Sequence, residues 1–256
     1  MKGVSALIIL LLAVPFVSAS YISLQVGSEI NETAGNITVA HLGDEPAYQV
    51  QVVARVRDQE RESAIRDRLS VGESMSSAFS LNRSNKNPGM YPLLATVHYQ
   101  DANGYLFSAL HSRFIKYIIA TRSEIVVELD DAEIKDAVRV PVTVKNFGET
   151  SKNAQVYLFI SNEFVVPDNS RNVVVQPKSS ETLEFAIDNF GARPGSNYVF
   201  YAVAEYDEQE QHYGSLDSGV LKVLLEKNRF FDTKGILIAL AIIILVIVVL
   251  QFTRKK

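Results

Sequence analysis

The residues able to do acid–base or metal chemistry in this chain are few and scattered. There are four histidines, His41, His98, His111 and His212, and no cysteine. Thiol nucleophiles, Cys-ligated zinc and disulfide scaffolds are thereby excluded. His98 stands on a predicted strand near Asp101, and His111 follows on the next. A metal site from His98, Asp101 and His111 is conceivable across neighbouring strands, but no ligand spacing fixes it, and solvated strand-face residues are expected instead. The acidic run at 205–210, with His212 after it, lacks the Asp-rich, Gly-turned loop of a specific calcium site, so it reads as a solvated hairpin tip. No G-x-S-x-G, H-E-x-x-H, P-loop or G-x-G-x-x-G motif occurs. The expectation is a chain with no catalytic residue, no metal site and no cofactor: not an enzyme.

One motif does carry chemistry. Asn31, Asn36 and Asn82 each open an N-x-[ST] sequon, and all three fall in the first half of the chain. Asn31 and Asn82 lie in predicted loops, which suits N-glycosylation of an exported domain; Asn36 lies at a strand start. The formal net charge is −4, so there is no basic footprint for nucleic acid.

What positions these residues is a repeat. Thr38-Val39 matches Thr143-Val144, and His41-Leu42-Gly43-Asp44 matches Asn146-Phe147-Gly148-Glu149. Downstream, Phe79 matches Phe185, and Pro88-Gly89 matches Pro194-Gly195. Tyr91 and Tyr99 match Tyr198 and Tyr206, and Ser108 matches Ser215. A period of about 105 residues is too long for a solenoid and suits tandem domains. Val138, Val140, Val142 and Val144 alternate as one buried strand face requires, and Val50, Val52, Ala54 and Val56 do the same in the first copy. Further strands are expected over 77–82, 91–100 and 105–118, and over 182–188, 197–206 and 219–225. Gly148 is expected to take positive φ in the turn between two strands. Residues 101–104 read as a hairpin turn. The segment 57–68, RDQERESAIRDR, has no apolar stripe and reads as a charged hairpin or exposed edge. Strands at roughly ten-residue spacing with turn signals between them predict an all-β chain of two tandem Ig-like antiparallel sandwiches.

The ends set the compartment. Residues 1–19 have a basic start, a short apolar core and small residues at Val17 and Ala19, the pattern of a signal peptide cut before Ser20. Residues 235–252 form an uncharged apolar run close to the minimum for a transmembrane helix. The basic tail 253–256 follows, expected on the cytoplasmic side. The sandwiches then occupy 20–120 and 121–226, with 227–234 a juxtamembrane linker. Because the second copy leads into the span, the first copy is expected to lie farther from the bilayer.

Asn146-Phe147-Gly148 ahead of Ala154, Phe185-Ala186-Ile187, and Pro194-Gly195 before Tyr198 resemble the CARDB-type and related Ig-like repeats of archaeal and bacterial surface proteins. The resemblance covers about residues 22–224. The first copy departs from it with His41-Leu42-Gly43. The resemblance implies tandem sandwiches tethered by one span, and a role in adhesion. A weaker similarity runs to the β-sandwich subunits of translocon-associated complexes, which share the signal–sandwich–span–basic-tail plan. These motifs are turn and core residues, so they specify fold more than function. Taken together, a non-catalytic, single-pass protein of the cell membrane is expected, with its bulk extracytoplasmic and a protein or surface polymer as partner. The alternative is an accessory subunit of a membrane complex, docking through the span and the second domain.

Overall fold

The computed structural model describes residues 21–30, 34–80 and 87–225. The signal segment, Asn31, Asn82, the linker from 227, the run 235–252 and the basic tail lie outside the described residues. The described chain is all-β. Its first half contains β1 (Leu24–Ile30), β2 (Ala34–His41), β3 (Ala47–Val56), β4 (Gln59–Glu62), β5 (Arg66–Leu69), β6 (Ser74–Ser80), β7 (Gly89–Gln100) and β8 (Leu106–Tyr117). The second contains β9 (Ile125–Leu129), β10 (Ala132–Ile134), β11 (Ala137–Asn146), β12 (Lys152–Phe159), β13 (Phe164–Val165), β14 (Ser170–Val175), β15 (Ser180–Asn189), β16 (Asn197–Glu208) and β17 (Gln211–Val223). Among the described residues, no helix is long and apolar enough to cross a membrane.

Both halves connect their strands in the same order. Sheet β1-β2-β6 in the first corresponds to β9-β11-β15 in the second, and β3-β7-β8 corresponds to β12-β16-β17. Each half packs one sheet on the other in a β-sandwich-like arrangement. In the first, Ile37 and Val39 of β2 meet Val50, Val52, Leu93 and Val97 of β3 and β7. In the second, Val140, Val142 and Val144 of β11 meet Val156, Phe185 and Phe200. The alternating valines face inward because successive side chains leave a strand on opposite sides, and only one side is dry. Residues 57–68 form the β3–β4 hairpin and the edge strand β5, with exposed charge. Strand β17 starts well before the expected 219. Its polar first half caps β9: Ser215 Oγ accepts from Val127 N, and Asp217 Oδ2 accepts from Leu129 N.

The repeat's turn shares one side-chain hydrogen bond between the copies. Asn146 Oδ1 accepts from Gly148 N at 2.9 Å, and His41 Nδ1 accepts from Gly43 N at 3.2 Å. The histidine of the first copy thus takes over the asparagine's acceptor role, but Asn146 Nδ2 also donates to Thr150 O and Val175 O, while His41 Nε2 has no partner among the described residues. The expectation of positive φ at Gly148 is not met, since neither Gly148 nor Gly43 has it. Glycine is needed there for close approach. A Cβ on Gly43 would press into the Tyr21 carbonyl and the Ser23 nitrogen, and one on Gly148 into the Glu124 carboxylate.

The halves lie side by side. The outer faces of their larger sheets press together, Leu94 and Leu110 against Phe159, Tyr201, Val203 and Leu216. They run in opposite senses. Gly89, at the start of β7, bridges His212 beside the end of β16, while Asp101, past the end of β7, meets Arg193 ahead of the start of β16. The two ends of the seam are about 35 Å apart, the length of a twelve-residue strand.

A charged seam and a polar cleft between the halves

The β16–β17 hairpin closes through Gln209 and Glu210, both at positive φ, the conformation of a two-residue type I′ turn. Its register places His212 opposite Asp207 and on the same face as Glu205. His212 Nδ1 lies 2.9 Å from Asp207 Oδ1, and Nε2 lies 2.9 Å from Glu205 Oε1. Tyr91 of the first half stacks on the imidazole with centroids 3.9 Å apart. Arg57 Nη2 donates to Asp207 Oδ2 at 2.6 Å, Asn87 Nδ2 donates to its other oxygen, and the Tyr157 hydroxyl donates to Glu205 Oε2 at 2.6 Å. Burial pushes the Asp207 carboxyl up, but hydrogen bonds from His212 and Arg57 outweigh it and hold Asp207 below its ordinary value. The expected solvated hairpin tip is therefore corrected. The turn and Asp207 are exposed, but Glu205 is buried and His212 is 0% exposed. A carboxylate oxygen stands at hydrogen-bond distance from each ring nitrogen, so neither imidazole nitrogen remains for a substrate.

The histidines named for a metal site do not converge. His98 and His111 stand on opposite faces of their sheet, because His111 pairs with Ala95, an odd number of residues from His98. His98 Nδ1 lies 3.5 Å from Asn162, and His111 Nε2 lies 2.9 Å from Ser28 Oγ. Burial lowers both below the usual histidine value. Asp101 caps the 101–104 turn, accepting from the nitrogens of Asn103 and Tyr105, and pairs with Arg193 at 2.7 Å. None of the four histidines is a solvated strand-face residue, since His41 and His212 are buried and the other two half-buried. Among the described residues, no group of three His, Asp or Glu is placed to hold a metal ion. Asn36 lies on β2 between the buried Gly35 and Ile37, with its side chain on the face away from the core.

A buried contact between the halves left no sequence signal. Glu163, buried, accepts from Ser108 N at 2.8 Å and from Ser108 Oγ at 2.6 Å. The cleft above the charged seam also left no sequence signal. An open space of about 940 Å³ lies between the β3–β4 hairpin and the outer face of β12, β14 and β16. Its floor is Asn153, Gln155 and Tyr157, which alternate with the core residues Ala154 and Val156, with Ser170 and Asn172 on the neighbouring strand. Arg55 and Arg57 form the opposite wall. This is a surface of amide, hydroxyl, guanidinium and carboxylate groups, the last from Asp58, Glu205 and Asp207, around the Tyr157 ring.

No family model matches this chain, and no curated protein does. Solved structures align at low similarity. Red sea bream transglutaminase aligns over 77% of this chain and 31% of its own, at 13% identity and a TM-score of 0.29. Trypsin-activated α2-macroglobulin from Escherichia coli aligns over 80% and 18%, at 12% identity and 0.31. A Salmonella α2-macroglobulin mutant aligns over 80% and 16%, at 10% identity and 0.34. The chain spans less than a third of the length of these structures.

Proposed function

We propose that the protein is a membrane-tethered, extracytoplasmic binding protein that catalyses nothing. Its halves are read as two tandem Ig-like sandwiches of CARDB type, held outside the cell by the span at 235–252 after removal of residues 1–19. Glycans on Asn31, Asn36 and Asn82 would clothe the first sandwich alone. The observation that carries the reading is the cleft floored by Asn153, Gln155 and Tyr157 beside a histidine whose nitrogens are both engaged. Amides and guanidinium groups present donors and acceptors in fixed directions, and a tyrosine adds a flat apolar contact. That combination suits a hydroxyl- and amide-bearing chain such as an envelope polysaccharide, in a role of adhesion or envelope architecture.

The test is co-sedimentation of the full-length protein, in mild detergent, with insoluble polysaccharide from its own cell envelope. Tyr157→Ala and Gln155→Ala should each weaken retention, while Phe147→Ala, on an exposed turn outside the cleft, should not. Equal retention of all the variants would remove the cleft from the reading. Stable co-purification of membrane proteins, with no retention on polysaccharide, would favour an accessory subunit. Turnover of any substrate by the purified chain would end the non-catalytic reading.

A further inference from the structure

Isolated exposed apolar side chains are ordinary on a protein surface; several gathered at one end are not. Phe190 is 83% exposed, Leu106 71% and Tyr105 64%, and all three line one groove between the β7–β8 turn and the β15–β16 loop. Leu225, 73% exposed, packs on Gly195 of that same loop. The two loops come from different halves and are pinned together. Arg193 pairs with Asp101 and lies over the rings of Phe107 at 4.6 Å and Tyr105 at 5.7 Å. Gly104, at positive φ, and the two backbone bonds to Asp101 fix the turn. The apolar tips are thus held outward by a braced scaffold.

Leu225 is also where the described chain leaves toward the apolar run at 235–252. The run begins ten positions past Leu225, a reach of at most about 35 Å, and the described chain points to it from this end. The cleft and the His212 seam lie at the opposite end of β16. We infer that this end is a lipid-docking face: Phe190, Leu106, Tyr105 and Leu225 rest in the headgroup and upper acyl layer, and the protein stands upright with its cleft pointing away. Tyrosine, with an apolar ring and a polar tip, suits that boundary, and phenylalanine and leucine suit the layer beneath it. The inference rests on residues 235–252 crossing the bilayer.

The chain contains no tryptophan, so a single introduced one reports its own surroundings. Full-length Phe190→Trp, Leu106→Trp, Phe147→Trp and Ile243→Trp are reconstituted into phosphatidylcholine vesicles, with and without bromine near the glycerol end of the acyl chains. A second vesicle set carries bromine near the acyl terminus. Tryptophan at 190 and 106 should emit at shorter wavelength than at 147 and lose more than half of its emission to the shallow bromine. At 147, on the far end, it should be quenched by aqueous acrylamide and not by bromolipid. At 243, deep bromine should quench it. Quenching at 243 with none at 190 and 106 overturns the docking face and leaves the span intact. Shielding of 190 and 106 from both bromolipid and acrylamide means a second copy covers them, which also overturns it. No bromolipid quenching at 243 removes the span and the docking face together.

Discussion

His212 is the residue on which the seam between the halves turns, and His212→Phe isolates its role. Phenylalanine keeps an aromatic ring for Tyr91 to stack on. It removes the two nitrogens that meet Glu205 and Asp207. Deleting the hydrogen-bond partner of a buried carboxylate costs about 1–3 kcal/mol or more, because the group stays desolvated. Asp207 is partly relieved, since its side chain is 37% exposed and Arg57 still pairs with it. Glu205 keeps the Tyr157 hydroxyl and the nearby Arg57 charge but loses its hydrogen bond to the ring. A loss of about 3 kcal/mol is therefore expected, mostly from Glu205, against a typical total of about 5–15. With a urea slope of about 1–3 kcal/mol per molar, the midpoint of the full-length chain in detergent should fall by about 1–3 M, read by far-UV circular dichroism. The decisive arm is Glu205→Gln in both backgrounds. With His212 present it should destabilise by about 1–3 kcal/mol, since charge-assisted bonds are lost. In the His212→Phe background it should restore about 1–2 kcal/mol, since the stranded charge is removed. If Glu205→Gln costs the same in both backgrounds, the carboxylate and the imidazole are not coupled and the reasoning fails.

Other expectations follow from the same geometry. Gly43→Ala should cost more than Gly148→Ala, about 1–3 against under 1 kcal/mol, because only Gly43 faces immovable backbone. His41→Asn should be tolerated within about 1 kcal/mol, since Asn146 makes the same bond in the second copy; a larger loss in thermal denaturation would show that the turns are not equivalent. Ile118, β-branched, stands at φ 62°, and Ile118→Asn should stabilise the chain by up to about 1 kcal/mol, with no gain counting against strain there. Burial pushes the Asp101 carboxyl up, but the Tyr105 and Asn103 nitrogens and Arg193 outweigh it and hold it below its ordinary 3.8. The unfolded chain then takes up this proton more readily, so Asp101 stabilises above about pH 4 and that contribution is lost as pH falls through the lower folded value. Asp101→Asn should flatten the acid limb of a stability–pH curve; an unchanged limb would assign it to other carboxylates.

Strand identity was legible because one-sided burial writes itself as alternation. Val142 and Val144 are buried while Thr143 between them is not, and that pattern is written in the sequence itself. The repeat added the pairing order, since His41-Leu42-Gly43 and Asn146-Phe147-Gly148 mark one turn twice. The polar first half of β17 was not legible, because Ser215 and Asp217 serve the nitrogens of β9 and leave no apolar trace. Much of the seam was hidden for a different reason. Leu94, Leu110, Tyr201, Val203 and Leu216 sit on strand faces that ought to be polar, and each alone reads as a tolerated exposed residue. They form a patch only after hydrogen bonding brings β7 beside β8 and β16 beside β17. His212 was nearer to view. A two-residue turn at Gln209-Glu210 forces residue 212 opposite 207, so the spacing of Glu205, Asp207 and His212 already implied one shared face. What the spacing lacked was the cover: Tyr91, more than a hundred residues earlier, is what turns that face from a solvated tip into a buried joint.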